Sequence, residues 1–353
     1  MALIDLALRN SGDSGRYCRR METYPNLTKL GCLPQNLTDI SSPNHPWYCH
    51  SLAFRMATYP EVSDQLFSRW ETWLTLAQQA EGWPNEYAHW SNANDHWAKK
   101  SDKFCHFLWL LQCFEYFSQL GLVVSFPASG TAMPDLFVRR PEQGGLYVEC
   151  YFYSQWWHKE QLLEDLLLKV DPNISIKRVH NNVIDSSSNP FNSDGSFRKL
   201  ISDLAVLLTP DKLFSLKAAA ELSSPQVICK VGGFEFLLSG TGEYQPSPNA
   251  HGDPAFSWPV FLKEIIKAKQ GENNLSNSRP KFVMVNAFGL DFQLGFAENN
   301  TLALHITVLP DDIDELWVSV CGIDASLCTN TRIRKILRSG YAGSGNCQHS
   351  SDA

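Results

Sequence analysis

The sequence predicts an α/β protein with a mixed central β-sheet flanked by helices, on three observations. Short apolar runs rich in valine, isoleucine and phenylalanine alternate with longer stretches of helical periodicity. Glycine, proline, serine and asparagine clusters punctuate them. The segment MPDLFVRRPEQGGLYVECYFY, residues 133–153, reads as two neighbouring strands joined by a turn at Gln143, Gly144 and Gly145.

The elements follow in order. With 353 residues and 44% hydrophobic content, the chain exceeds what one core normally serves. We expect a helical, Trp-rich N-terminal addition over residues 1–98, an α/β core with insertions over 99–325, and a basic C-terminal segment with a disordered tail over 326–353. Pro, Asn, Ser and Thr interrupt the chain up to about Pro60. Val62, Leu66, Trp70, Trp73, Leu74 and Ala77 then mark an amphipathic helix. Trp83, Trp90 and Trp97 recur every seven residues, nearly on one side of a helix, with Pro84 weakening its start. Such aromatics can stack on unpaired bases, but packing within the domain is the commoner use.

Residues 103–120 form the next helix, ended by Gly121, with Phe104, Phe107, Leu108, Leu111 and Phe114 at helical spacing. After the two acid-bearing strands, residues 160–170 read as a helix, 171–196 as a loop or lid, and 197–208 as a helix. Residues 227–231 and 234–238 are strands about Gly232 and Gly233, followed by a flexible insertion over 239–253. A helix over 259–270, an interior strand over 282–286 and a further strand over 316–320 complete the order, and residues 339–353 are expected to be poorly ordered.

Composition excludes several classes. No apolar run reaches the roughly 18–20 residues that span a bilayer, and the first ten residues lack the basic start and apolar centre of a signal peptide, so the expectation is a cytoplasmic protein with no membrane partner. Ten irregularly spaced cysteines describe reduced, buried thiols rather than a disulfide framework. Cys18, Cys32, His45, Cys49 and His50 share one stretch, yet no Cys-x-x-Cys spacing suits structural zinc. No phosphate-binding glycine loop and no Gly-x-Ser-x-Gly elbow is present. A net charge of -7 confines any polyanion contact to local patches: Lys99, Lys100 and Lys103; Arg139 and Arg140; or Arg332, Arg334, Lys335 and Arg338. Trp156 and Trp157 are either a base-stacking platform or a packed corner.

The chemistry centres on Asp135 and Glu149, one acid on each of the paired strands. A hard cation such as Mg²⁺ takes oxygen ligands at about 2.0–2.1 Å and keeps several waters, so two fixed carboxylates suffice to hold it. Glu115 falls inside the apolar stripe of its helix, where an uncompensated carboxylate is costly. It is either a satisfied helix carboxylate or a member of the site. Cys150, by strand alternation, points away from Glu149 into the core.

Pro134-Asp135 and Glu149-Cys150-Tyr151, preceded by a Glu-bearing helix, resemble the PD-(D/E)XK (restriction-endonuclease-like) nuclease superfamily over roughly residues 100–290. In that superfamily a helix precedes a strand, a hairpin carries Pro-Asp and then Glu-x-Lys, and a later helix packs over the sheet. Tyr151 stands where the motif has lysine, which makes this a divergent member. Lys269, within the apolar arc of its helix, is the candidate replacement for that charge, or else snorkels from the last helical turn. The resemblance implies a restriction-endonuclease-like core, Mg²⁺ or Mn²⁺ bound by Asp135, Glu149 and Glu115, and hydrolysis of DNA or RNA with Tyr151 or Lys269 near the developing charge. The alternative is an inactive nuclease fold that binds nucleic acid or protein.

Overall fold

The computed structural model describes residues 3–11, 14–31, 33–34, 37, 47–58, 60–91, 101–127, 134–140, 144–152, 157–178, 189–191, 193–222, 225–240, 281–286, 313–319 and 333–337. They form a mixed α/β structure of two compact units. The units interleave along the chain. One comprises Met1–Glu71, Ser91–Phe104 and Ser154–His251; the other comprises Thr72–Trp90, Cys105–Tyr153 and Gly252–Ala353.

The first unit is built of helices α1 (Leu3–Ser11), α2 (Ser14–Thr23), α3 (Pro25–Leu30) and α4 (Trp47–Thr58), the start of α5 (Pro60–Ala77), and α8 (Trp157–Val170), α9 (Asp194–Leu207) and α10 (Pro210–Leu222). Its sheet has the order β4 (Ile174–Arg178), β6 (Phe234–Leu238), β5 (Gln226–Val231), all antiparallel. Leu3, Phe54, Leu163, Leu166, Phe197, Leu204, Phe234 and Phe236 are among its fully buried core side chains. Arg55 Nε donates to Asp165 Oδ2 at 2.7 Å, tying α4 to α8. The loop expected over 171–196 contains β4, whose five residues pair with β6 and bury Ile174 and Ile176. The hairpin between β5 and β6 turns on Gly232 and Gly233, both at positive φ, as a two-residue turn of this hand requires.

The second unit holds a six-stranded sheet in the order β1 (Val123–Ser125), β2 (Leu136–Arg140), β3 (Gly144–Phe152), β7 (Lys281–Asn286), β8 (Glu315–Ser319), β9 (Ile333–Leu337). β1, β2 and β3 run antiparallel, β3, β7 and β8 run parallel, and β9 is antiparallel to β8. The interior strand read at 282–286 is present, and Phe282, Val283, Met284 and Val285 are all buried, as a strand flanked by parallel neighbours demands. The basic C-terminal segment contributes β9, an element the sequence reading lacked.

Helix α7 (Ser101–Gln119) ends at Gly121 with φ +74, where Gly121 N donates to the Ser118 carbonyl and Leu122 N to the Phe117 carbonyl. It covers one face of the six-stranded sheet. Trp109 Nε1 donates to the Met284 carbonyl at 3.1 Å, and the rings of Tyr116 and Phe117 meet Trp317. Helix α6 (Trp83–Ser91) begins at the residue before Pro84, so the proline occupies a first-turn position that needs no N–H donor. Trp83 and Trp90 are buried against Phe107, and Trp83 also meets Phe126, which is the packing role favoured for these two tryptophans; Trp97 lies outside the described residues.

Gly144 and Gly145 are strand residues rather than the turn. Arg140 pairs with Gly144 and Arg139 with Gly145, and a Cβ at Gly145 would lie 2.1 Å from Phe137 Cζ. The glycine makes room for the Phe137 ring, which packs on Tyr147 with centroids 4.9 Å apart.

Candidate functional site

The register of β2 on β3 pairs Leu136 with Val148. Continued by one residue, it sets the backbone of Asp135, just before β2, opposite that of Glu149. Glu149 is buried, Asp135 half-buried. Asp135 Oδ2 accepts a hydrogen bond from Cys150 N at 2.7 Å. Continued once more, the register sets Pro134 opposite Cys150, and the short side chain of neighbouring Asp135 takes the Cys150 N–H. The carboxylate is thereby held at the strand end.

Alternation along β3 separates Leu146, Val148, Cys150 and Phe152 from Tyr147, Glu149 and Tyr151. The Cys150 face is the one α7 covers, because the Cys113 and Cys150 thiols are hydrogen-bonded to each other. Burial pushes both thiols up, and the negative charge of Asp135 adds to the rise in each; Glu149 contributes at Cys150. Neither thiol is therefore a nucleophile at neutral pH. Cys105, Cys113 and Cys150 are buried as thiols, outside any disulfide, and Cys18 is an exposed thiol.

Three of the residues singled out by sequence thus fall together on one hairpin: Asp135 and Glu149 across the two strands, and Tyr151 two residues beyond Glu149 on the same face. Glu115 sits on α7, over the opposite face. It is buried, and Gln119 Nε2 donates to its Oε1 at 2.6 Å. Lys269 and its helix lie outside the described residues, as do Lys99, Lys100, Trp156, Arg332, Arg338 and residues 339–353. Arg139 is exposed and pairs with Glu81 Oε2 at 2.9 Å, with its guanidinium over the Phe137 ring.

Sequence reasoning missed one carboxyl in this neighbourhood. Glu86 on α6 accepts a 2.5 Å hydrogen bond on Oε1 from Trp90 Nε1. Burial lifts its pKa from 4.5 to about 7, the Trp90 bond opposes the rise, and the charge on Asp135 adds to it. The signal available in the sequence was the four-residue spacing of Glu86 and Trp90 on one helix, which places the pair within reach.

The donor set bears on the metal question. Asp135 and Glu149 carry hard oxygen ligands at neighbouring backbone positions of β2 and β3, the donor type that suits Mg²⁺ or Mn²⁺. Among the described residues, no group of three or more His, Cys, Asp and Glu side chains is arranged to hold a metal ion. The pair would be completed by waters, by substrate oxygens or by residues beyond those described. No described helix is long and apolar enough to cross a membrane. Compared with family models, curated proteins and solved structures, the chain matches none.

Proposed function

We propose that this is a nuclease-like protein of the restriction-endonuclease-like kind, hydrolysing phosphodiesters of nucleic acid with Mg²⁺ or Mn²⁺ held by Asp135 and Glu149. The observation that carries the reading is the juxtaposition of these acids across β2 and β3, with Asp135 oriented by the Cys150 N–H. The order of elements also agrees with the resemblance: a helix (α7), then an antiparallel run β1, β2, β3 whose second hairpin bears Pro-Asp and Glu-x-Tyr.

When bound, the metal would polarise the phosphate and lower the pKa of the attacking water. The protein's part is to hold the two carboxylates in a fixed relation and to place Tyr151 beside Glu149. Lys269 would contribute the ammonium that position 151 does not. Glu115, over the other face, would act through the sheet's packing rather than as a ligand beside Glu149.

Mn²⁺ titration of the folded full-length protein, its Asp135→Asn and Glu149→Gln variants and Glu115→Gln tests the assignment. The first two variants should lose at least about tenfold in affinity, roughly 1.4 kcal/mol, and Glu115→Gln should retain wild-type binding. Equal binding by all four proteins sinks the proposal. Tyr151 in place of the motif lysine favours a second reading, a nucleic-acid-binding module without turnover. Wild-type protein that binds Mn²⁺ but cleaves neither DNA nor RNA selects it.

A further inference from the structure

The hairpin of β2 and β3 turns unlike faces to its two sides. Leu136, Val138, Leu146 and Val148, which alternation places on the Cys150 face, are buried. The other face carries Phe137 and Arg139 on β2 and Gly145, Tyr147, Glu149 and Tyr151 on β3. Further across the sheet this same face holds Val283 and Val285 of β7 and Leu316 and Val318 of β8, all buried. Over the hairpin it is accessible, with Phe137 and Tyr147 half-buried and Arg139 exposed.

Three of these side chains form one patch. The Phe137 and Tyr147 rings are 4.9 Å apart and tilted by 40°, and the Arg139 guanidinium carbon stands 5.8 Å from the Phe137 ring centre. The tip of the Phe137 ring occupies the space that a side chain at position 145 would take, since a Cβ there would lie 2.1 Å from Cζ. A glycine inside a strand weakens it and marks a close approach. Here it lets two rings and a guanidinium share one accessible surface. An unpaired nucleotide has the matching chemistry, a base whose π-face stacks on a ring and a phosphate that accepts from arginine. Arg139 pairs with Glu81, but their side chains are 54% and 75% exposed, so water screens the pair and phosphate can replace the carboxylate at little cost.

We propose that Phe137, Tyr147 and Arg139 are the docking surface for single-stranded nucleic acid approaching Asp135 and Glu149. The inference rests on the nuclease-like reading of that acid pair and names its substrate as unpaired strand. Tyr147 and Glu149 stand two residues apart on one face, about 7 Å along the strand, close to the reach of one extended nucleotide. A base stacked on Tyr147 therefore brings the adjoining phosphate to the acid pair. Bases inside a duplex are covered on both faces by their neighbours, so this surface selects against them.

Fluorescence anisotropy of the full-length protein in EDTA, with oligo(dT) and oligo(rU) of about 12 nucleotides and a duplex of the same length, tests the proposal apart from any metal. Wild type should bind single strands at least about tenfold more tightly than duplex, and the tighter of the two oligomers names the preferred sugar. Phe137→Leu and Tyr147→Leu should each weaken single-strand binding at least about tenfold. Arg139→Gln should weaken it too and lower the slope of log affinity against log salt by about 0.7. With wild type, a 5-iodouracil oligomer should cross-link on irradiation to Phe137 or Tyr147, located by mass spectrometry, a readout that does not depend on any variant folding. Wild type that binds no single strand at about 100 µM overturns the proposal and assigns the rings to cross-strand packing. Equal affinity for duplex, folded ring variants that bind like wild type, or cross-links confined to other residues overturn it as well. Mn²⁺ titration separates the two readings: Phe137→Leu should keep wild-type Mn²⁺ affinity, single-strand binding without Mn²⁺ binding removes the metal site alone, and the reverse removes this surface alone.

Discussion

Replacing Glu86 by Gln should stabilise the protein above neutral pH and leave it nearly unchanged in acid. In the folded chain Glu86 keeps its proton until about pH 7, against 4.5 for an ordinary carboxyl, first because it is buried and also because of the negative charge on Asp135. Its folded pKa is raised, so the folded state binds the proton more tightly than the unfolded chain does. That contribution is complete below about pH 4.5 and is lost as pH rises through about 7. Above pH 7 the fold must hold a half-buried carboxylate close to a second acid. At about 1.4 kcal/mol per pH unit the ceiling is roughly 3 kcal/mol. Screening by water at a half-buried site lowers that to about 1–2 kcal/mol.

Glutamine keeps an oxygen to accept the Trp90 indole N–H and carries no charge, which isolates the electrostatic part. Urea unfolding of wild type and Glu86→Gln at pH 5 and pH 8 measures it. The variant should gain about 1–2 kcal/mol over wild type at pH 8 and little at pH 5. Because other carboxylates titrate in both proteins, the difference between them carries the result. An advantage for glutamine that is the same at both pH values, or larger in acid, would falsify the assignment of a raised pKa to Glu86.

Asp135→Ala leaves the Cys150 N–H without its acceptor and should cost about 1–3 kcal/mol of stability, whereas Asp135→Asn, which keeps an oxygen acceptor, should cost less; thermal melting compares them. Gly145→Ala puts a Cβ 2.1 Å from the Phe137 ring and should destabilise by about 1–3 kcal/mol, with Phe137→Leu restoring part of the loss by relieving the clash. Gly82→Ala meets the Phe126 carbonyl oxygen at 1.9 Å and forces a Cβ onto a residue at φ +85. It should lower stability by more than about 1 kcal/mol, and denaturant melts showing no change would discard that close approach. Lys269→Met should abolish metal-dependent cleavage of DNA or RNA while leaving the melting temperature intact; undiminished cleavage by the variant assigns Lys269 to packing.

Much of the architecture was readable because periodicity and turn chemistry are local. The stripe from Phe104 to Phe114 with Gly121 behind it located α7, and Gly232-Gly233 located the β5–β6 hairpin to the residue. Readings failed where tertiary contacts override local composition. Gly144-Gly145 has turn-like composition, but its glycines answer to the Phe137 ring across the ladder. The polar stretch after α8 hides β4 because a five-residue strand with two buried isoleucines has too little alternation to stand out. α10 escaped notice for the opposite reason: its apolar residues lie on every side, so no single face announces a helix. The interleaving of the two units depends on long-range contacts that no window of sequence contains.

The site shows the same division between local and long-range information. Pro134 and Asp135 act as a unit of backbone chemistry: proline has no N–H to extend the ladder, and aspartate offers a short side chain that accepts the opposing N–H. The same two residues would be favoured at such a strand end with or without a cation. Helical phase correctly buried Glu115 but could not choose which face of the sheet its helix would cover, and the Cys113–Cys150 contact makes that choice. The informative feature is therefore Glu149, not Asp135. A carboxylate buried on an interior strand, flanked by Val148 and Cys150 and paired in register with Val283, stands where an apolar side chain is the usual occupant. Burial without compensation is costly, so Glu149 must be neutralised by a proton, a donor or a cation. If a cation does it, saturating Mn²⁺ should raise the melting temperature of wild type and leave that of Glu149→Gln unmoved, because a ligand that binds only the folded state stabilises it by mass action. A Glu149→Gln protein that gains as much from Mn²⁺ as wild type does would place the cation elsewhere.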